Sequence, residues 1–158
     1  MITQKTRYAL RSLLFLVEVG RGEAVQLQQI AETQRIPRKY LELIMLDLKK
    51  AGIVASSRGP KGGYRLTKSP QDVSFGEVVR AIEGPIALIS CASASFYAPC
   101  GDCRDEASCA IRRAFLIVRA RTTDVLNGIS LAQGADWEDR AVGAPLEGDP
   151  QAVADWQI

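Results

Sequence analysis

The 158-residue chain has no histidine. That absence removes His-based catalytic triads, His–Cys dyads and every His-ligated metal site. Long apolar runs are also missing. Leu13–Val17 is typical of the longest, far short of the roughly 20 residues a membrane span needs. The first residues, Met1-Ile2-Thr3-Gln4-Lys5, do not lead from a basic stretch into an apolar one and a cleavage site. The expected location is therefore cytoplasmic, without membrane contact. No nucleophile–base pair with a pocket signature stands out, so no enzyme activity is expected. Composition is otherwise ordinary, at 47% apolar and 24% charged residues. It argues against wholesale disorder, a collagen-like chain or a disulfide-dense miniature scaffold. The length fits one ordinary domain, or a small domain with an arm.

Two features are unevenly distributed. Residues 1–68 carry 13 Lys and Arg against 5 Asp and Glu, whereas residues 69–158 carry 7 against 13. A basic first half points to an anionic partner such as nucleic acid, or to a merely solvated basic surface. All four cysteines, Cys91, Cys100, Cys103 and Cys109, fall in one window. In a reducing compartment such a cluster is more often a metal or redox site than a structural disulfide.

The hydrophobic pattern predicts a mainly α-helical chain with one small β-hairpin. Thr3–Val19 has helical periodicity through Tyr8, Leu10, Leu13, Leu14 and Val17, with Gly20 as a stop. Gln26–Gln34 reads as a short second helix. Pro37 fits the first turn of a third, which runs to about Lys50 with Leu41, Ile44, Met45 and Leu48 inward. Two β-prone pieces, Ile53–Ala55 and Gly63–Leu66, flank the basic, Gly- and Pro-rich stretch Ser56–Gly62. Helix, helix pair and basic hairpin in that order predict a winged helix-turn-helix over residues 1–68. Ser74-Phe75-Gly76-Glu77 is a capping box opening a connecting helix within residues 69–90. A cysteine-rich loop spans residues 91–109. A long helix over 109–132 follows, with Ile111, Phe115, Val118, Val125 and Ile129 near a 3.5-residue spacing. That seam predicts a dimerisation helix, the competing reading being a helix packed on its own domain. Residues 133–158 hold six acidic residues against one Arg and read as a disordered tail, in which Trp137 and Trp156 are out of place.

Thr6-Arg7-Tyr8-Ala9, Ile30-Ala31, Tyr40-Leu41-Glu42, Lys50-Ala51-Gly52-Ile53-Val54 and Arg58-Gly59-Pro60-Lys61-Gly62-Gly63-Tyr64 together resemble the Rrf-type family of winged-helix regulators. That family includes iron–sulfur, nitric-oxide, iron and cysteine regulators (IscR, NsrR, RirA and CymR). The likeness covers about residues 1–132. It implies a cytoplasmic bacterial homodimer, a repressor, on palindromic operator DNA. It also implies, in many members, an iron–sulfur cluster in the loop before the dimer helix.

In a helix-turn-helix, the start of the second helix of the pair meets base edges in the major groove. Arg38 and Lys39 can donate to guanine or phosphate, and Tyr40 to phosphate. Glu42, an acid on a basic surface, can accept from cytosine N4, or can simply sit solvated beside Arg38 or Lys39. The resemblance favours base reading. Arg58, Gly59, Pro60 and Lys61 at the hairpin tip fit a minor groove, and Arg7 fits a phosphate.

The cysteines are spaced Cys91-x8-Cys100-x2-Cys103-x5-Cys109. Thiolates bind iron–sulfur clusters, zinc or copper(I). The resemblance implies Cys91, Cys103 and Cys109 as cluster ligands, with Cys100 as fourth ligand or redox-active neighbour. Two known sources of a fourth ligand are absent. A His three residues after the last cysteine is here Arg112, and no acid on the first helix precedes Glu18. Cluster type, [2Fe-2S] or [4Fe-4S], stays open. A cluster-free disulfide switch and a zinc-stabilised regulator remain alternatives. A C-x-x-C oxidoreductase is disfavoured because no βαβ pattern surrounds the motif.

Overall fold

Helix α1, Gln4–Phe15, begins at Thr3, whose own side chain makes no capping bond. The computed structural model, which describes residues 2–20 and 22–139, supplies the cap from elsewhere. Glu83 Oε1 accepts from Thr3 N at 2.9 Å, from Thr3 Oγ1 at 2.6 Å and from the Thr6 hydroxyl. The carboxylate takes one backbone amide and two hydroxyls at the start of the helix and faces the positive end of the helix dipole. The chain continues from α1 into a π-helical turn, Leu16–Gly20.

The helix pair follows the sequence pattern closely. α2 spans Leu27–Gln34 and α3 spans Arg38–Lys50, with Pro37 at the N-cap. Between them Arg35 takes a left-handed conformation, φ 51°, which lets Ile36 N reach back to the Ala31 carbonyl at 2.9 Å. Leu41, Ile44, Met45 and Leu48 are fully buried, as their spacing requires. They join Ala9 and Leu13 of α1 and Ile30 of α2 in one core. Lys5 Nζ pairs with Asp47 Oδ2 at 2.7 Å and ties α1 to α3 outside that core.

The wing is an antiparallel pair, β1 Val54–Ser57 and β2 Gly63–Leu66, registered Val54 to Leu66 and Ser57 to Gly63. Val25 forms a single antiparallel bridge to β2, exchanging backbone hydrogen bonds with Tyr64 at 2.8 and 2.9 Å. Gly63, at φ 149°, lies so close that a Cβ would stand 2.3 Å from the Val25 carbonyl oxygen. The second glycine of the Gly62-Gly63-Tyr64 run therefore lets the wing close on the chain before α2.

After a 3-10 turn, Pro70–Asp72, helix α4 runs Phe75–Glu83. Ser74 caps it through Glu77 N, as read from the capping box, but the Glu77 carboxylate turns to Lys68 Nζ at 2.9 Å. A second 3-10 turn, Ser90–Ala92, precedes the cysteine loop and α5, Ala110–Gly128. No residue of α5 is buried, and Ile111, Val118 and Val125, seven apart, are 66%, 42% and 61% exposed. Its main contacts are with α4 and the second 3-10 turn.

The expected disorder from residue 133 needs correcting. Helix α6, Leu131–Asp139, folds back on α1. Leu131 is fully buried, and Gly134 sits where a Cβ would meet Phe75 at 2.7 Å and Leu14 at 3.1 Å. Beyond Leu131 the contact face is made of the small residues Gly134 and Ala135, which hydrophobic periodicity under-weights. Trp137 lies on this helix and is partly exposed. Trp156 and the rest of the tail lie outside the described residues. No described helix is long and apolar enough to cross a membrane.

Burial pushes the Glu83 carboxyl up, but the Thr3 and Thr6 donors outweigh it and hold it below the usual range. A depressed folded value stabilises above the unfolded pKa and is lost as pH falls through the folded one. Glu83→Gln should therefore lower Tm at neutral pH, and the gap to wild type should shrink below about pH 4. Thermal melts at both pH values test this, and a pH-independent gap would contradict it.

Candidate functional site

Two groups of residues stand apart from the core. The first is the exposed start of α3 with the wing tip. Arg38, Lys39 and Glu42 all point to solvent. Arg38 Nε lies 3.3 Å from Glu42 Oε1, and Arg38 Nη1 donates to Gln28 Oε1 at 3.0 Å. The acid paired with Arg38, one of the two sequence readings of Glu42, is thus the arrangement in the free chain. An exposed pair of this kind is worth about 0–1 kcal/mol, so both groups stay available to another partner. Tyr40 is half-buried, its ring edge-on to Tyr8 with centroids 5.9 Å apart. Arg7 is exposed and held by Gln4 at 3.2 Å.

Arg58, Gly59, Pro60 and Lys61 are all exposed at the tip. Gly62 N donates to the Gly59 carbonyl at 2.8 Å and closes the turn. Gly59, at φ 107° with open space around it, is the tip glycine free to approach a partner. Two glutamines escaped the sequence reading. Gln26 Nε2 donates to the Pro60 carbonyl at 3.2 Å, and Gln28 holds Arg38. Nothing in composition or spacing marks them. Their role is to tie wing and α3 to α2.

The second group is the cysteine loop. Cys91 is buried in the Ser90–Ala92 turn, Cys100 is exposed, and Cys103 and Cys109 are half-buried. All four line one cleft of about 330 Å³. The Cys91 and Cys100 sulfurs are 3.9 Å apart, and all four thiols are free. Among the described residues no three Cys, Asp or Glu side chains converge to hold a metal ion. Cys109 caps α5, its sulfur accepting from Arg112 N at 3.4 Å. Asp105, kept below the usual carboxylate range by Ser108 and the Ala107 amide, shapes the turn before it. Burial pushes the Cys91 thiol up, Cys100 and Cys109 push the same way, and Arg112 opposes them. Cys91 is therefore protonated at neutral pH, and the accessible sulfur of the pair is Cys100.

Arg112, where a ligating His would stand, instead donates from Nε to the Cys91 carbonyl at 3.0 Å. Arg119, two turns on, donates to the Ala92 carbonyl at 2.6 Å. The two arginines clamp the buried Cys91 turn to α5. The donor identities in the cleft fit an iron–sulfur group: four cysteine sulfurs line it beside the N-terminus of α5. Residues 93–108 contain no helix or strand, so no regular element has to break for the sulfurs to converge.

A helix pair followed by a hairpin braced on α2, with a long helix of uncovered apolar seam, defines a winged helix-turn-helix protein of regulator type. A family model described as Rrf2, iron-dependent transcriptional regulator, matches residues 2–136. The chain belongs to the Rrf2 family of transcriptional regulators. It is 52% identical over 118 residues to an Rrf2-like helix-turn-helix regulator of Rhodobacter capsulatus, covering 73% of this chain and 79% of that one. It is 35% identical over 132 residues to the regulator IscR of Vibrio vulnificus, covering 84% and 75%. The structure of CymR, the global cysteine regulator of B. subtilis, superposes with TM-score 0.71 at 29% identity, over 87% and 97% of the two chains. These relatives are transcriptional regulators, not enzymes, and the family binds DNA.

The clamp carries a prediction. Arg119→Ala leaves the buried Ala92 carbonyl without its charged donor and frees the turn to open. Alkylation of Cys91 should quicken by about tenfold, given roughly 1.5 kcal/mol for such a bond. Peptide mass spectrometry after timed labelling reads this out, and an unchanged rate would refute the clamp.

Proposed function

We propose that the chain acts as a homodimer on palindromic operator DNA and that the cysteine loop sets its grip, holding an iron–sulfur cluster through Cys91, Cys103, Cys109 and Cys100. The carrying observation is the cleft that gathers all four cysteines at the head of α5. The iron dependence in the family's description supports the same reading.

On the DNA side, Arg38 and Glu42 read base edges while Lys39, Tyr40 and Arg7 meet phosphates. Arg58, Gly59, Pro60 and Lys61 enter the minor groove. Phosphate contacts supply affinity and salt dependence, and Glu42 and Arg38 supply choice. The exposed seam of Ile111, Val118 and Val125 on α5 pairs with its copy and spaces two wings for two half-sites.

A bound cluster would supply redox and ligand-exchange chemistry at the four sulfurs. The chain's own part is mechanical. Cys91 is fixed to α5 through Arg112 and Arg119, while Cys100 and Cys103 ride on the loop. The loop's state therefore acts on α5, and α5 reaches the DNA-binding body through α4, where Arg80 holds Asn127 at 2.8 Å. A change in that packing alters the angle between the two wings of the dimer and its fit to the operator.

The 3.9 Å separation of Cys91 and Cys100 favours one second reading, a switch in which an oxidant joins those two thiols. Anaerobic purification separates the readings. The cluster reading expects a brown protein with iron and acid-labile sulfide, lost in Cys91→Ser, Cys103→Ser and Cys109→Ser. A colourless protein with a reversible Cys91–Cys100 disulfide supports the switch, and colourless protein with zinc supports a structural metal. Identical operator binding by oxidised and reduced protein, without metal, would refute all sensing.

Base reading by Glu42 has its own test. Glu42→Ala should relax discrimination among operator variants by about tenfold at the position it reads, with a smaller loss of total affinity. Gel-shift titrations on a variant panel measure this, and unchanged discrimination rules the role out.

A further inference from the structure

The inner face of α3 is complete without Leu43 and Leu46. Leu41, Ile44, Met45 and Leu48 fill it and are fully buried. Leu43 and Leu46 lie on the opposite side of the helix, 57% and 47% exposed. A single exposed leucine needs no explanation. Here two of them, three residues apart, share a face with Lys39, one turn before Leu43, and with Lys50, which pairs with Asp47 at 3.6 Å. Leu43 stands one helical turn beyond Lys39 and directly beside Glu42. It is thus in the second turn of α3, on the side turned away from the core.

An isobutyl group has no donor or acceptor, so it gains nothing from phosphate or from the polar atoms of base edges. It can only exclude water from another apolar group. The major-groove edges of the four bases offer one such group, the C5 methyl of thymine. Leu46 lies a further turn along, beyond the N-terminal part of the helix that meets base edges. We infer that Leu43 is a specificity-determining residue that packs on a thymine methyl in each operator half-site, next to the base read by Glu42. The inference rests on the reading of α3 as the groove helix. Arg38 and Lys39 at the start of α3, with Arg58 and Lys61 at the exposed wing tip, supply the charge complementarity that makes duplex DNA, rather than a second protein, the occupant of this face.

The test begins with the full chain and duplexes selected from a random pool. Each thymine of the selected half-site is then replaced by deoxyuridine, which removes only the methyl. At one position per half-site, wild-type binding should weaken by about fourfold, the worth of one buried methyl-sized group. Leu43→Ala, an exposed site changed to the best helix former, should bind the thymine site about fourfold more weakly and show no response to that replacement. Wild-type indifference to every replacement, or an equal loss in Leu43→Ala, would overturn the inference. 5-Methylcytosine presents the same methyl. A gain from methylating a half-site cytosine that exceeds the thymine effect would also overturn the assignment to thymine. Glu42→Ala and Arg38→Ala are the controls. If both keep wild-type discrimination, the placement of α3 fails and Leu43 falls with it. If they lose discrimination while deoxyuridine has no effect, only the Leu43 assignment falls.

Discussion

The burial of one stripe of α3 is the constraint on which the rest depends. Leu41, Ile44, Met45 and Leu48 have no other place to escape water, so the helix can sit on α1 and α2 in one rotation. That rotation decides which side chains the helix offers outward. Arg38, Lys39, Glu42 and Leu43 are exposed because the other side is fully used. Losing one large member of the stripe would cost about 2–5 kcal/mol, a large share of the stability of a domain this size. The presented surface is a by-product of packing, and it is held as firmly as the core itself.

The second half of the chain hangs on contacts of a different kind. α5 fully buries none of its residues in the single chain; Phe115, Leu116 and Leu126 are half-buried, and polar contacts add to them. Arg112 and Arg119 take the carbonyls of the Cys91 turn, and Asn127 takes Arg80. Beyond it, Phe75 N and Leu131 N bond the carbonyls of Ile129 and Val73, and Leu131 returns to the common core. α5 thus joins the cysteine loop to the rest of the fold through half-buried apolar contacts and hydrogen bonds at defined points, with an apolar seam left exposed.

Several elements were legible in the residues alone. The helix pair, the hairpin and the Ser74 cap follow from local period and turn chemistry and lie within a residue or two of their expected bounds; the long helix is there too, but it ends at Gly128, four residues before the expected 132. The Glu83 cap of α1 was not legible, because its partners are some 80 residues apart and no local rule joins them. α6 was missed because its face is built from Leu131, Gly134 and Ala135, and a glycine lowers helix propensity even where close packing requires one. Gly63 read as the first residue of a β-prone piece, whereas its larger constraint is the backbone of Val25.

The same division runs through the candidate site. Spacing alone put four cysteines in one short window and basic residues on one helix and one hairpin. Those are properties of residue order, which local periodicity and composition expose. Which cysteine is buried, which two sulfurs are neighbours, and that Arg112 holds a carbonyl were decided by tertiary structure. Each depends on groups brought together by loop closure, and the sequence carries no distance between residues whose separation is fixed only when the core has formed.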